Sequence, residues 1–255
     1  MNIIKTSNLY KYYGAAETAV KAVNGISFEI ERGEFTAIIG PSGSGKTTLL
    51  HLIGGLDTPD QGEIKLSDQK IAAMKGNQLS DFRRDHIGFI FQAYNLIPVL
   101  TAAENIEYIM LLQGIEKKER AKRVEQILEM VGLSGLGDRR PARLSGGQQQ
   151  RVAVARAMVS RPDIILADEP TANLDSKTGM KLLEVMRNLN KEFEMTFVFS
   201  THDEKIMDLA TRLIHLRDGK IEKDERKETL NALSFSCSLG VGRAKLSGNK
   251  TERLR

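Results

Sequence analysis

The stretch Gly40-Pro-Ser-Gly-Ser-Gly-Lys-Thr47 decides the fold, because it follows the pattern G-x-x-x-x-G-K-[ST] of a loop that cradles phosphate groups. It comes directly after Glu34-Phe-Thr-Ala-Ile-Ile39, a short apolar run typical of a buried strand. Residues 48–53 are predicted to continue as a helix whose N-terminus faces the phosphates, and Gly54-Gly55 to end it. Strand, loop and helix therefore occur in the order that a nucleotide-binding α/β domain requires.

The residue types of this loop each suit phosphate binding. The glycines let the backbone turn tightly and point its N–H groups inward. Lys46 supplies a positive charge to the β- and γ-phosphates, and the Thr47 hydroxyl can coordinate Mg²⁺. The predicted phosphate-binding residues are consecutive: Gly40, Pro41, Ser42, Gly43, Ser44, Gly45, Lys46, Thr47 and Thr48.

A second glycine-rich segment, Leu144-Ser-Gly-Gly-Gln148, begins 97 residues after Thr47 and predicts a second anion site. Ser145 can cap the helix that starts here, and Gly146 and Gly147 allow the backbone to approach an anion closely. A bare Ser-Gly-Gly is common in linkers. Here it opens a long helical run through Ala157, which favours a binding role.

Two carboxylates follow the apolar run Ile164–Ala167 directly. A charge placed there is costly unless a cation matches it. We therefore expect Asp168 to hold Mg²⁺ and Glu169 to act as the base that polarises the attacking water. A further apolar run, Thr196–Ser200, leads to His202. The segment from His86 to Phe91 is also predicted to be a buried strand, and it ends at Gln92.

Composition excludes several classes of protein. The 255 residues suffice for one large α/β domain or a domain with an inserted subdomain. No run of 18 apolar residues exists, and the N-terminus lacks the apolar region of a signal peptide. The one cysteine, Cys237, cannot form an internal disulfide and fits a reducing cytoplasm.

The charge distribution weakens a nucleic-acid interpretation of the pI near 9.1. The net charge is +4, and residues 231–255 alone hold five basic residues against one acidic residue, so residues 1–230 are neutral. We expect 229–255 to be a basic, disordered tail. Contact of this tail with anionic lipid or rRNA is the alternative to simple solvation, which we favour.

The phosphate loop, Gln92, the Ser-Gly-Gly segment, the two carboxylates and His202 follow one another along the chain. In this order they resemble the motifs of the ATP-binding subunit of ABC transporters, over about residues 1–223. The resemblance implies an α/β fold: a P-loop NTPase core with a RecA-like mixed sheet, an antiparallel N-terminal β-subdomain and an inserted helical subdomain. Residues 1–92 and 144–228 would form the ATP-binding core, and 93–143 the helical subdomain. Within the latter, Thr101 and Glu104 have the spacing of a capping box.

The resemblance also implies roles for individual residues. Tyr13, with Tyr12 second, would stack on adenine, and His202 would hydrogen-bond the γ-phosphate. Gln92 would contact Mg²⁺ and the attacking water. The implied catalytic residues are Lys46, Gln92, Glu169 and His202; the implied Mg²⁺ ligands are Thr47, Gln92 and Asp168; and the second ATP-contacting segment consists of Ser145, Gly146, Gly147 and Gln148.

Two stretches, Ile87–Pro98 and Leu100–Asn105, are typical of the lipoprotein-releasing and macrolide-exporting branch (LolD/MacB-like). The implied protein is an ATPase that forms an ATP-bound homodimer. It would drive a separate integral membrane permease from the cytoplasmic face of the inner membrane, as a peripheral subunit that binds no nucleic acid. The alternative is a soluble ABC ATPase acting on DNA or ribosomes, but such proteins usually carry a second cassette, a long coiled coil or a zinc element. A P-loop kinase or GTPase would leave Leu144–Gln148 unexplained.

Overall fold

The protein consists of two β-sheets and the helices packed on them. The structure is a computed structural model, which describes residues 1–14 and 19–227. The expected tail and Cys237 lie outside the described residues. The strands are β1 Asn2–Tyr13, β2 Val20–Glu31, β3 Phe35–Ile39, β4 Gln61–Leu66, β5 Gln69–Lys70, β6 Ile87–Ile90, β7 Ile164–Asp168, β8 Thr196–Thr201, β9 Arg212–Arg217 and β10 Lys220–Arg226. The α-helices are α1 Lys46–Ile53, α2 Asn77–His86, α3 Ala102–Leu112, α4 Lys117–Met130, α5 Gly146–Met158, α6 Ser176–Phe193 and α7 Glu204–Leu209.

The two sheets differ in strand direction. The smaller sheet is antiparallel, in the order β2-β1-β4-β5, and the larger sheet has the order β10-β9-β3-β8-β7-β6. In the larger sheet β9, β3, β8, β7 and β6 run parallel, and only the edge strand β10 is antiparallel. The predicted fold class, a P-loop core with a mixed sheet and an antiparallel N-terminal sheet, is confirmed.

The centre of the larger sheet is apolar on both faces. Every residue of β3, β7 and β8 is buried, as expected for parallel strands that are covered by helices on both sides. The rings of Phe35, Phe197 and Phe199 meet at centroid distances of 4.6 to 5.8 Å. This aromatic cluster fixes β3 against β8, and β3 leads into the phosphate-loop segment.

The segment 93–143 contains α3 and α4, which pack on α5. Apolar side chains of all three helices belong to the same buried cluster as β3 and β8. α3 begins with the capping box that its sequence predicts: the Thr101 hydroxyl accepts from the Glu104 amide, and the Glu104 carboxylate accepts from the Thr101 amide. None of the helices in the described part of the chain is long and apolar enough to cross a membrane.

The structure corrects one local expectation. His86 is not the first residue of a strand: it ends α2, where its ring lies 2.7 Å from the Asp163 carboxylate, and β6 begins at Ile87.

Neither α2 nor α7 was predicted from the sequence. α2 buries one large apolar residue, Phe82, and α7 is six residues long, so neither shows an apolar period. Arg217 pairs with Lys220 across the two-residue turn Asp218-Gly219, which joins β9 to β10 as a hairpin.

We predict that Phe35→Ala lowers the free energy of unfolding by about 3–5 kcal/mol, because it removes a fully buried ring from the aromatic cluster. Phe35→Leu, which keeps most of the apolar volume, should cost clearly less. Urea denaturation of both variants measures the two losses. Equal, small losses would show that the cluster does not anchor β3.

Candidate nucleotide-binding site

A cleft of about 620 Å³ opens at the edge of the larger sheet where its parallel strands end. This is the edge at which open α/β sheets bind ligands. The cleft is lined by the end of one strand of the smaller sheet, by the loop after β3 and by residues following β6, β7 and β8. The lining residues are Val20, Ala22, Gly40, Pro41, Ser42, Gly43, Gly45, Lys46, Thr47, Thr48, Gln92, Asp168, Glu169, Ser200 and His202.

The phosphate loop, residues 40–47, is shaped for an anion. α1 begins without a side-chain cap, so the N–H groups of its first turn are left for a ligand. Gly45 has φ +99°, and a Cβ there would lie 2.1 Å from the Ala22 carbonyl oxygen, so only glycine fits. Gly43 has φ +80°, and no atom of the described residues beyond its chain neighbours lies within 4 Å of the position that a Cβ would take. The loop is therefore packed against protein on one side and open on the other.

Lys46 and Ser44 occupy opposite sides of the loop. The Lys46 ammonium donates to the Gly40 and Pro41 carbonyl oxygens, each at 2.9 Å, and it pairs with no carboxylate among the described residues. Such a cation suits the phosphates of a nucleotide. Ser44 is the loop residue that does not line the cleft. Its side chain is buried, and its hydroxyl has no hydrogen-bond partner among the described residues.

The candidate metal-binding oxygens meet beside the loop. The Thr47 hydroxyl lies 3.0 and 3.2 Å from the two oxygens of the Asp168 carboxylate, which is almost completely buried. The side chain of Gln92 lines the same cleft. Hydroxyl, carboxylate and amide oxygens are hard ligands of the kind Mg²⁺ takes, usually together with phosphate oxygens and water. The residues present therefore fit MgATP.

Glu169 stands next to this oxygen cluster in a strained conformation. Its φ is +46°, which is costly for a residue with a side chain, and its amide donates to the Ser200 carbonyl at 2.9 Å. The Thr201 hydroxyl donates to one carboxylate oxygen at 3.0 Å, and the His202 ring nitrogen Nδ1 lies 2.6 Å from the other. The carboxylate is thus fixed at the cleft wall, while His202 is largely exposed.

The second glycine-rich segment does not take part in this cleft. Ser145 and Gln148 form a capping box at the start of α5, with distances of 3.3 and 2.9 Å. Ser145 and Gly146 are exposed, and none of the four residues from Ser145 to Gln148 lines the cleft. One chain therefore carries an open helix N-terminus that its own phosphate loop does not use.

Tyr13 also lies outside the cleft lining. It is the last residue of β1 and is 45% exposed, and its hydroxyl donates to the Asp57 carboxylate at 2.7 Å. Tyr12 pairs with Lys21 in the β1–β2 ladder. The loop that follows, residues 15–18, is not among the described residues.

Sequence reasoning missed two groups near the site, Thr201 and Asp57. Thr201 could have been found, because it directly precedes His202 at the end of an apolar run. Asp57 gave no such signal: it lies in the connection between α1 and β4, and only folding brings it to Tyr13.

Comparison with known proteins identifies the family. Residues 23–172 match the family described as ABC transporter. The chain belongs to the ABC transporter family. It is an ABC transporter ATPase cassette, as the fold and the phosphate loop indicate.

Relatives of known name and structure support this assignment. The chain is 46% identical over 227 residues to the macrolide export ATP-binding/permease protein MacB of Mannheimia succiniciproducens, covering 89% of this chain and 35% of that protein. It is 43% identical over 219 residues to the lipoprotein-releasing system ATP-binding protein LolD of Cytophaga hutchinsonii, covering 86% and 98%. A solved structure, the dimeric post-hydrolysis state of the ATP-binding cassette MJ0796 bound to ADP and Pi, matches with a TM-score of 0.84 at 43% identity, covering 88% of this chain and 99% of that one. MJ0796 comes from Methanocaldococcus jannaschii.

We predict that Lys46→Ala abolishes measurable ATP hydrolysis by the cassette. The variant removes the one side-chain cation that the loop offers to the phosphates, and losing such an electrostatic contact costs about 3 kcal/mol or more of transition-state stabilisation. Steady-state phosphate release measures the effect. Lys181→Ala, on the exposed face of α6, is the control and should keep wild-type activity. Near-normal hydrolysis by the Lys46 variant would contradict the assignment of the loop.

Proposed function

We propose that two copies of this cassette face each other head to tail and close over two MgATP molecules. Each ATP would lie in the cleft of one copy and meet the segment Ser145–Gln148 of the other. The observation that carries this proposal is the division of the site within one chain: the phosphate loop lines the cleft, whereas the N-terminus of α5 is exposed outside it. The dimeric structure of MJ0796, a relative at 43% identity, supports it.

Hydrolysis in this arrangement depends on three sets of groups, which hold the phosphates, hold Mg²⁺ and orient water. Lys46 and the N–H groups of the loop hold the phosphates, and Thr47, Asp168 and Gln92 hold Mg²⁺. Bound Mg²⁺ would neutralise charge that develops on the transferred phosphoryl group. Glu169 orients and polarises the attacking water.

The two remaining assignments concern His202 and Tyr13. His202 hydrogen-bonds the γ-phosphate from the exposed side of Glu169, because its ring already lies at the cleft wall and is free to turn toward a ligand. Tyr13 stacks on the adenine ring at the rim of the cleft.

We further propose that the dimer drives a separate integral membrane permease of the lipoprotein-release or efflux type, on the cytoplasmic face of the membrane. The matches to LolD and MacB support this branch. In the proposed transporter, residues 1–92 and 144–228 form the ATP-binding core, and residues 93–143 form the helical subdomain that moves with the permease.

A groove next to the Gln92 segment is suited to hold the permease. It has a volume of about 430 Å³ and runs between α2, β6, α3 and α5. Its lining includes Phe91 and Asn95, which flank the Gln92 segment, and the exposed side chains of Leu56 and Tyr108. An occupant of this groove would therefore contact the chain within a few residues of a proposed Mg²⁺ ligand.

The dimer can be tested with Glu169→Gln. The amide keeps the shape of the side chain but cannot accept a proton, so hydrolysis should fall by about 100-fold or more while ATP still binds. The variant should then accumulate as an ATP-dependent dimer in gel filtration. Adding Ser145→Arg places a bulky cation at the start of α5 and should abolish the dimer while leaving ATP binding intact. A Glu169 variant that stays monomeric at millimolar MgATP would contradict the head-to-tail mechanism.

The groove makes a separate prediction about the permease. Tyr108→Asp puts a charge into the groove and should strongly reduce recovery of the cassette with the membrane fraction. Its ATPase activity as an isolated protein should remain at the wild-type level. Met130→Asp, at a similarly exposed position on α4, is the matched control and should keep membrane recovery. Recovery with ribosomes or nucleic acid instead of membranes would favour the soluble ABC ATPase.

A further inference from the structure

A network of hydrogen bonds centred on Asp57 joins the end of β1 to the connection after α1. One Asp57 oxygen accepts from the Lys11 ammonium and from the Thr58 amide, both at 2.7 Å. The other oxygen accepts from the Tyr13 hydroxyl at 2.7 Å. The Lys11 ammonium also donates to the Thr58 carbonyl at 2.8 Å and lies 5.4 Å from the centre of the Tyr13 ring. Asp57 is thus the point at which all these groups meet.

The carboxylate of Asp57 is ionised at neutral pH. Partial burial by itself would raise its pKa, but the hydrogen bonds from Lys11, Tyr13 and the Thr58 amide outweigh burial and lower that pKa. Partial burial and then the bond to Asp57 raise the pKa of the Tyr13 phenol, so Tyr13 stays protonated and donates. The bond between them is therefore a charge-assisted one, which is stronger than a bond between neutral groups.

This network constrains a ring that is partly exposed to solvent. Tyr13 is 45% exposed at the end of its strand. A loosely held aromatic side chain loses rotamer freedom when a ligand stacks on it, and that loss costs affinity. The bond to Asp57 fixes the hydroxyl end of the ring before any ligand arrives, and the Lys11 ammonium lies over the ring.

We propose that Asp57 is a positioning residue that holds Tyr13 in place as the platform for the adenine base. The proposal rests on the role assigned to Tyr13 under the proposed function and adds the residue that makes that role effective. Asp57 lies in the connection that follows α1, and α1 begins at Lys46. The same short segment thus carries the phosphate site at one end and the anchor of the base platform at the other, so their separation is fixed.

The position of Thr48 supports the link between platform and cleft. Thr48 lines the cleft in the first turn of α1, and a hydrogen bond from its side chain lowers the pKa of Tyr13, which counteracts part of the effect of burial. The Tyr13 hydroxyl therefore lies close to a residue that lines the cleft.

The test separates binding of the base from binding of the phosphates. Calorimetry with the full chain measures dissociation constants for ATP and for inorganic tripolyphosphate, both with Mg²⁺. Asp57→Ala and Tyr13→Phe should each weaken ATP binding about fivefold, or about 1 kcal/mol, and leave tripolyphosphate binding unchanged. The double variant should be no weaker than Asp57→Ala alone, because that variant already lacks the bond that Tyr13→Phe removes. Tyr10→Phe, which removes a hydroxyl of β1 outside the network, should bind both ligands normally.

Two results would overturn the role of Asp57. One is wild-type ATP affinity in both single variants; the other is an equal loss for ATP and tripolyphosphate, which would indicate general damage to the site. Tyr13→Ala distinguishes failure of this proposal from failure of the proposed function. If that variant weakens ATP binding while Tyr13→Phe does not, the ring is the platform and Asp57 does not position it. If it binds ATP normally, Tyr13 is not the platform and both proposals for it fall.

Discussion

Complete burial of the central parallel strands forces the polar groups of the site to one edge of the sheet. No residue of β3, β7 or β8 is exposed, and an unpaired charge inside such strands would be costly. Charged side chains therefore come only where the strands end, and because the strands are parallel, their ends coincide. The phosphate loop, Asp168, Glu169 and His202 meet for this reason, although up to 162 residues separate them along the chain.

The same constraint explains why the site is divided. α5 packs its apolar face on the buried cluster, and its N-terminus is left at the surface. Ser145 and Gln148 satisfy each other's backbone groups there, but the partial positive charge of the helix end remains open to solvent. An anion held by another copy of the chain can use this charge. In the proposed dimer the N-terminus of α5 supplies a contact that the cleft of the other copy lacks, so ATP bound in one copy would hold the two copies together.

Most of the larger elements could be predicted from the sequence, because they carry local signals. The Gly40–Thr47 motif, the apolar strands around it and the Thr101–Glu104 capping box each depend on a few neighbouring residues. α2 and α7 could not be predicted, since one is largely polar and the other very short. The site residues divide in the same way: those that lie next to a local sequence signal could be predicted, and the others could not. Asp168, at a strand end, was found, whereas Asp57 is brought to Tyr13 by an antiparallel pairing of β1 with β4 that no local pattern specifies.

The surroundings of Glu169 show how a base can be fixed and yet remain available. A left-handed conformation for a residue of this type costs on the order of 1–3 kcal/mol, so it persists only if the surroundings stabilise it. Its amide bonds to Ser200 and its carboxylate to Thr201, both of which are buried, and these contacts set its position. The contact with His202 is different, because 78% of the histidine side chain is exposed. Water can replace that contact at little cost, so the proposed turn of His202 toward a phosphate would leave the carboxylate held by Thr201. In the proposed mechanism, positioning of the base and sensing of the nucleotide would therefore be carried by separate hydrogen bonds on the two oxygens of one side chain.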